Sequence, residues 1–294
     1  MNALLGGVET GGTWCACVLG TGPDQLVAET RFHTGTPRET VALIAEFFSD
    51  HERPVAIGIA GFGPLDLDPD SPTWGHVTAT TKPAWSDFPL ASAVGTALGL
   101  PVAIDTDVGA AALAEHRWGA GRGAGTVCYV TVGTGIGAGL VIDGRPHHGL
   151  VHPEAGHVRI AHDSERDPFA GVCPFHGDCW EGLASGPALA ARWGTDPARL
   201  PDDHPAWALE ARYLALGLLA IVSIVSPERV IVGGGLLARA GLLAAVRGQM
   251  RELAAGYPAT PMLARRIDEY VREPALGRRA GVLGALALAQ SAPA

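Results

Sequence analysis

The sequence predicts an α/β protein built from two related halves. Three observations carry this expectation. Residues Leu4 to Leu19 read as a strand, a tight turn at Glu9-Thr10-Gly11-Gly12-Thr13, and a second strand. The same layout returns at Thr126 to Val132, Gly133-Thr134-Gly135-Ile136-Gly137 and Ala138 to Ile142. A third glycine run, Gly233-Gly234-Gly235, closes the apolar strand Arg229 to Val232 ahead of a helix expected to begin near Leu236. Glycine beside threonine between strands lets backbone N–H groups approach an anion closely. A strand, a glycine run and a helix N-terminus serve the same end. A plain hairpin turn is the alternative for the first turn taken alone, and the repeat is one of layout rather than of residue identity.

The composition supports this class and excludes others. A chain of 294 residues suffices for one large domain or two of ordinary size. Net charge is −9, from 21 basic and 30 acidic residues with no basic run, which argues against a nucleic-acid partner. The start MNALLGGVETGG has no basic opening, so no secretory signal is expected. The longest apolar stretch, Leu214 to Val225, is shorter than the roughly 20 residues a membrane span needs. Cys15, Cys17 and Cys128 lie in apolar strands and read as small core residues, which places the chain in the cytoplasm.

In chain order, a third strand (Leu26 to Phe32) and an amphipathic helix (Glu39 to Phe48) follow the first turn. Val55 to Ala60 is an apolar strand closed by Gly61-Phe62-Gly63-Pro64. Lys82-Pro83-Ala84-Trp85 reads as a loop whose charge and aromatic ring suit a cleft lining, with a solvated turn as the alternative. Pro101 to Ile104 opens into Asp105-Thr106-Asp107 at the head of an alanine-rich helix, Val108 to Trp118. Asp105 and Thr106 are N-cap types, and Asp105 is read as a cap. The glycine-rich break Gly119 to Gly125 marks a domain boundary. A helix starts at Gly186-Pro187, a long buried one covers Trp207 to Ile224, and an apolar one covers Leu276 to Leu288.

Six of the eleven histidines fall between His147 and His176, so that segment is not background composition. Cys173, His176 and Cys179 form a Cys-x2-His-x2-Cys triplet, and His157 supplies a fourth donor. Four nitrogen and sulfur ligands complete a tetrahedral zinc shell with no open position, the mark of a structural metal. A buried cysteine pair beside a surface histidine is the alternative. A hydrolytic zinc served by His147, His148, His152 or His162 fits less well, because catalytic zinc keeps a position for water.

Taken together, the motifs resemble the ROK family of sugar kinases over nearly the whole chain. Glu9 to Thr13 resembles the family's first phosphate motif, Thr131 to Gly139 its second, and Val230 to Gly235 its adenosine motif. The resemblance implies a two-domain actin-like ATPase (ribonuclease H-like) fold with a catalytic cleft between the domains. It places domains at 1–118, joined by a returning helix at about 275–294, and at 119–274, with a zinc module at 152–181. It implies ATP-dependent phosphorylation of a hexose with Asp107 as general base. Sugar contacts then fall on Thr106, Asp107, Glu154, His157 and Glu181. Nucleotide contacts fall on Gly11, Gly12, Thr13, Thr131, Gly133, Thr134, Gly135, Pro187, Gly233, Gly234 and Gly235. Magnesium would bridge the ATP phosphates, and His157, Cys173, His176 and Cys179 would hold the structural zinc.

The Cys-x2-His-x2-Cys module, His152-Pro153-Glu154-Ala155-Gly156-His157 and the Lys82 loop resemble the fructokinase branch, which makes fructose the favoured substrate. Glucose or mannose is the alternative, and a homodimer is common among relatives. ROK repressors share the body, but the first motif begins within ten residues of Met1 and leaves no room for a DNA-binding segment. Three departures stand out: Glu9 where most members have Asp, Trp14 where most have Lys, and Gly109 where Asn is usual.

Overall fold

The computed structural model describes residues 3–80 and 82–292; positions 1–2 and 293–294, at the outer ends of the expected first domain and returning helix, lie outside them. The chain divides into two compact units. The first comprises residues 1–125, 139–153 and 275–294, and the second residues 126–138 and 154–274.

The first unit opens with an antiparallel meander, β1 (Leu5–Thr10), β2 (Trp14–Gly22) and β3 (Gln25–His33). Helix α1 (Pro37–Ser49) follows. It begins two residues before the predicted start because Thr36 and Glu39 form a reciprocal capping box and Pro37 fits the first turn. Strands β4 (Ile57–Gly61) and β5 (Val102–Thr106) add in parallel, with α2 (Leu90–Leu98) between them. The sheet order is β3-β2-β1-β4-β5. Helix α3 (Asp107–Trp118) leaves the end of β5.

Alternation along β1 separates two faces. Val8, with Cys17, Leu19, Ile57 and Ile59 on neighbouring strands, packs into one core with Ile44 and Phe48 of α1 and Leu90 of α2. Leu5 and Val18 pack into a second core with Val282 and Leu286 from the C-terminal segment.

The second sheet has the order β10-β9-β6-β7-β8. Strand β6 (Thr126–Val132) turns into β7 (Ile136–Ile142), and the two-residue β8 (Arg145–Pro146) pairs antiparallel with the end of β7. In the second unit α4 (Trp180–Ala184), α5 (Gly186–Trp193) and α6 (Ala206–Val225) precede β9 (Arg229–Gly233), which runs parallel to β6. Helices α7 (Leu242–Ala254), α8 (Pro261–Ala264) and α9 (Ile267–Tyr270) lead to β10 (Val271–Arg272).

Two local expectations change here. No α-helix starts at Leu236: a single 3-10 turn covers Leu236–Ala238, and α7 waits until Leu242 because Gly241 turns left-handed at φ 82°. The apolar stretch ending at Val225 belongs to a helix of 20 residues, long and apolar enough by length and composition to cross a membrane. Half of that helix's apolar window is buried inside the protein, against neighbours such as the Trp180 ring at Gly217.

The last helix, α10 (Ala280–Leu288), belongs to the first unit and lies directly on its sheet. Close approach requires small residues: a Cβ on Gly58 would fall 1.8 Å from the Ala285 carbonyl oxygen, and one on Gly284 2.1 Å from that of Ala110. Gly58→Ala should therefore force α10 off β4, and overpacking of this kind costs about 1–3 kcal/mol. Denaturant titration would check it; a variant as stable as the wild type would show that α10 is not seated as described.

Candidate active site

The first glycine turn is closed by its own backbone. The Gly11 amide donates to the Trp14 carbonyl at 2.9 Å, and the Thr34 hydroxyl donates to the Gly11 carbonyl at 2.6 Å. The Gly12 face is open except for Lys82, whose Cε lies 3.7 Å from where a Cβ would stand. Lys82 is therefore a candidate phosphate partner beside Gly11, Gly12 and Thr13, in keeping with a loop whose charge suits a cleft lining. Its neighbour Trp85 lines no cleft. The indole is buried between Phe62 and Phe88 and donates to the Gly35 carbonyl at 3.1 Å.

Glu9 is the last-but-one residue of β1, just before that turn. In register, Glu9 lies opposite Ala16 and Ala16 opposite Arg31, so the three share one sheet face, with a small residue in the middle. A cavity of about 420 Å³ opens there, lined by Glu9, Trp14, Arg31, Arg278, Arg279 and Val282 among others. Trp14 stands 40% exposed, stacked on His33 at 3.7 Å with the Arg31 guanidinium 4.6 Å above its ring. Burial first, and the charge of Asp107 second, push the Glu9 carboxyl up to about 7, against the pull of Arg31 and a Val282 N–H.

The β5–α3 junction holds two further acids, Asp105 and Asp107. Thr106, not Asp105, is the N-cap: its hydroxyl accepts the Gly109 amide at 3.0 Å. Asp105 is the last-but-one residue of β5, 2% exposed, with its carboxylate on the Thr106 amide at 2.6 Å and on His148 Nε2 at 3.1 Å. Asp107 occupies the first helical position, half-buried, and its Oδ1 accepts the Val108 amide at 2.8 Å.

In the second unit the other two glycine runs meet. The turn from Thr131 through Gly133, Thr134 and Gly135 is closed by the Gly133 amide on the Gly135 carbonyl at 2.9 Å. The Gly186 amide, one residue before Pro187, donates to the Gly133 carbonyl at 2.8 Å. Gly234 takes φ 98° because a Cβ there would fall 2.3 Å from the Val132 carbonyl oxygen, which keeps Gly233 and Gly235 against the end of β6. The Glu181 carboxylate accepts the Ile136 amide at 2.9 Å, so it belongs to this turn as well as to α4.

The four predicted donors converge in the same unit. Cys173 and Gly177 exchange both backbone hydrogen bonds, forming a knuckle that presents Cys173 and His176 on one side. His157 Nδ1 lies 3.7 Å from Cys173 Sγ and 3.5 Å from Cys179 Sγ, and His176 Nδ1 lies 3.7 Å from Cys173 Sγ. Bond lengths of about 2.0–2.3 Å at a tetrahedral centre separate ligand atoms by roughly 3.4–3.8 Å, so the spacing suits a metal of that kind. His157 Nε2 points the other way, 4.0 Å from Glu154. His152 and His162 are engaged elsewhere: His152 Nε2 accepts the Leu65 amide at 3.1 Å, and His162 sits against Asp178 at 3.2 Å.

Residues 5–292 match the ROK family. The chain is 43% identical over 300 residues to a fructokinase from Zymomonas mobilis, covering 98% of this chain and 97% of that one. A ROK hexokinase from Thermus thermophilus superposes with a TM-score of 0.78 at 29% identity, with 98% of each chain covered. A ROK family glucokinase from Streptomyces griseus, solved with glucose and AMPPNP, gives 0.76 at 28% identity, covering 98% of this chain and 99% of that one. The fold is the actin-like ATPase fold of these sugar kinases.

Glu9 offers a check on the first half of the site. Its folded-state pKa lies above the ordinary 4.5, so the stability it contributes is full below that value and is lost as pH rises through about 7. Glu9→Gln should thus gain on the wild type between pH 5 and pH 8, by on the order of 1–3 kcal/mol after screening. Denaturant titrations at the two pH values would measure it. A difference independent of pH would show that Glu9 titrates normally.

Proposed function

The chain belongs to the ROK family, and on that premise we propose that it is an ATP-dependent hexokinase that converts fructose to fructose 6-phosphate. The observation that carries the choice of sugar is the fructokinase relative, 43% identical across nearly both full chains, against 28% for the glucokinase. The Lys82 loop and the Cys-x2-His-x2-Cys module agree with it. The kinship also supports a cytoplasmic homodimer.

Phosphoryl transfer asks a protein for positioning and charge more than for covalent help. Asp107 accepts the proton of the attacking sugar hydroxyl as its oxygen bonds to the terminal phosphorus and ADP leaves. Thr106, Glu154, His157 and Glu181 hold the other hydroxyls; one Glu181 oxygen is on the Ile136 amide, which leaves its second as acceptor. The turns at Gly11-Gly12-Thr13 and at Thr131, Gly133-Thr134-Gly135, with Pro187 and Gly233 to Gly235, supply backbone donors to the nucleotide. Magnesium, when bound, neutralises the phosphates. The repulsion between Glu9 and Asp107 supports a cation on that side. His157, Cys173, His176 and Cys179 would hold a zinc ion that would brace the sugar side, where His157 turns its other edge to Glu154.

Two experiments test this reading. In a coupled ADP-release assay across hexoses, fructose should give the highest kcat/KM, and Asp107→Asn should keep sugar binding while losing about 10²–10⁴-fold in kcat. Glucose ahead of fructose by an order of magnitude would overturn the sugar, and turnover above half of wild type in the variant would overturn the base. Cys179→Ser should lower zinc content and raise the fructose KM about tenfold or more, with the ATP KM little changed. Elemental analysis beside separate sugar and nucleotide titrations would decide it, and full sugar affinity in metal-free protein would refute the brace.

A further inference from the structure

We infer that His148 and Asp105 form a hydrogen-bonded dyad that positions the Thr106–Asp107 turn, making His148 a positioning residue for phosphoryl transfer. The inference rests on the reading of Asp107 as the base.

Asp105 is the starting point. A carboxylate 2% exposed at a strand end needs partners for its charge. Two come from the next residue: Oδ1 accepts the Thr106 amide at 2.6 Å and lies 3.3 Å from the Thr106 hydroxyl. That hydroxyl in turn accepts the Gly109 amide at 3.0 Å and caps α3. The third comes from a distant part of the chain. His148, in the loop after β8, sets Nε2 3.2 Å from Oδ1 and 3.1 Å from Oδ2, bridging both carboxylate oxygens. The bond to Asp105 holds the His148 imidazole above its ordinary range, against the effect of its partial burial. A carboxylate only accepts, so Nε2 carries the proton and donates.

Gly109 makes this arrangement possible. A Cβ at 109 would fall 2.2 Å from Asp105 Oδ1 and 3.0 Å from Thr106 Oγ. The missing side chain leaves the space into which the Asp105 carboxylate folds over the first turn of α3. In this chain that space is held by a carboxylate, and the carboxylate is held by a histidine.

The consequence falls on Asp107. With its amide held by Asp105 and its hydroxyl held by Gly109, Thr106 is tied through both backbone and side chain, which restrains the peptide entering Asp107. The direction in which the Asp107 carboxylate leaves the backbone is set by that peptide. Without the imidazole, Asp105 is a buried charge with fewer donors, and it gains by swinging toward water. The turn then loses one of its two fixed points. A displacement near 1 Å at a reacting group can cost about 10²-fold in rate.

The test uses His148→Ala and His148→Gln in the full chain, with melting temperatures to confirm folding. His148→Ala should lower kcat for the best hexose by about 10–100-fold with the ATP KM little changed. His148→Gln, whose amide can still donate to Asp105, should recover most of that loss and serves if the alanine variant fails to fold. In an Asp107→Asn background His148→Ala should add no further loss, because its effect passes through Asp107. Independently of turnover, the Thr106 and Gly109 amide resonances should shift in the variant. Full turnover in His148→Ala, an additive loss in the double variant, or unmoved amides would each overturn the dyad. Failure of the kinase reading is seen separately, as a wild type that releases no ADP with any hexose, and the amide shifts still decide whether His148 holds the turn.

Discussion

The hydrogen bond from the Gly109 amide to the Thr106 hydroxyl fixes where β5 stops and α3 begins, and much of the first unit depends on it. It satisfies one of the amides that a helix start leaves without a partner, while Thr106 itself stays extended at φ −63° and ψ 155°. Once that residue is the cap, the phase of α3 is set. Ala110, Ala112 and Ala114 are then fully buried, and the Ala110 carbonyl meets Gly284 of α10 at a distance no side chain would allow. Helix α10 lies in turn over Gly58 of β4. A shift of one residue in the cap would rotate α3 by about 100° and carry the Ala110 carbonyl away from Gly284 of α10. The position of Asp107 is thus tied to the packing of two helices and a sheet.

The first unit also gathers acids where water is scarce, and it treats each differently. Glu115, fully buried, spreads its charge over three backbone amides, those of Ala120, Ala275 and Leu276. Asp105 shares its charge with an amide, a hydroxyl and an imidazole. Glu9 has fewer donors and a like charge nearby, and its affinity for a proton rises accordingly. The difference is one of donors: a buried carboxylate short of N–H partners is the one that takes up a proton or a cation. That ordering marks the Glu9 side of Asp107 as the place where positive charge from a ligand is most effective.

The strands and glycine turns were legible because their signals are local. Apolar alternation and paired glycines mark β1, β6, β7 and β9 within about a residue or two, the usual scatter at element ends, while β2 runs three residues past the expected Leu19. The Cys/His quartet was legible for the same reason, since three of its donors sit within seven residues. What escaped was tertiary. Asp105 and Thr106 are both cap types, and only the extension of β5 to Thr106 decides between them. His148 carries no motif that separates it from His147 beside it. Trp85 shared a loop with Lys82 in the sequence, yet one side chain is core and the other reaches the first turn, a division that depends on Phe62 and Phe88. The helix expected at Leu236 failed because left-handed glycines act through backbone geometry that composition does not reveal.

The Cys/His knuckle shows why a metal suits this part of the second unit. Between Gly171 and Asp178 only Cys173 is buried, and Phe175 stands 75% exposed. A segment with so little apolar burial gains too little from the hydrophobic effect to offset the entropy of ordering it. Two backbone bonds between Cys173 and Gly177 set its local turn but do not anchor it to the rest of the unit. The Val172 amide on the Gly182 carbonyl and Asp178 on Arg159 and His162 tie the segment down. Two of the four donors are anchors outside it: Cys179, fully buried at the head of α4, and His157, at the end of a short 3-10 turn that begins one residue after Glu154. One ion at the four donors would join knuckle, helix and turn at a single point. Glu154 and Glu181 each stand within three residues of one of those anchors. That cross-link would add to the hold that the Ile136 amide already has on Glu181.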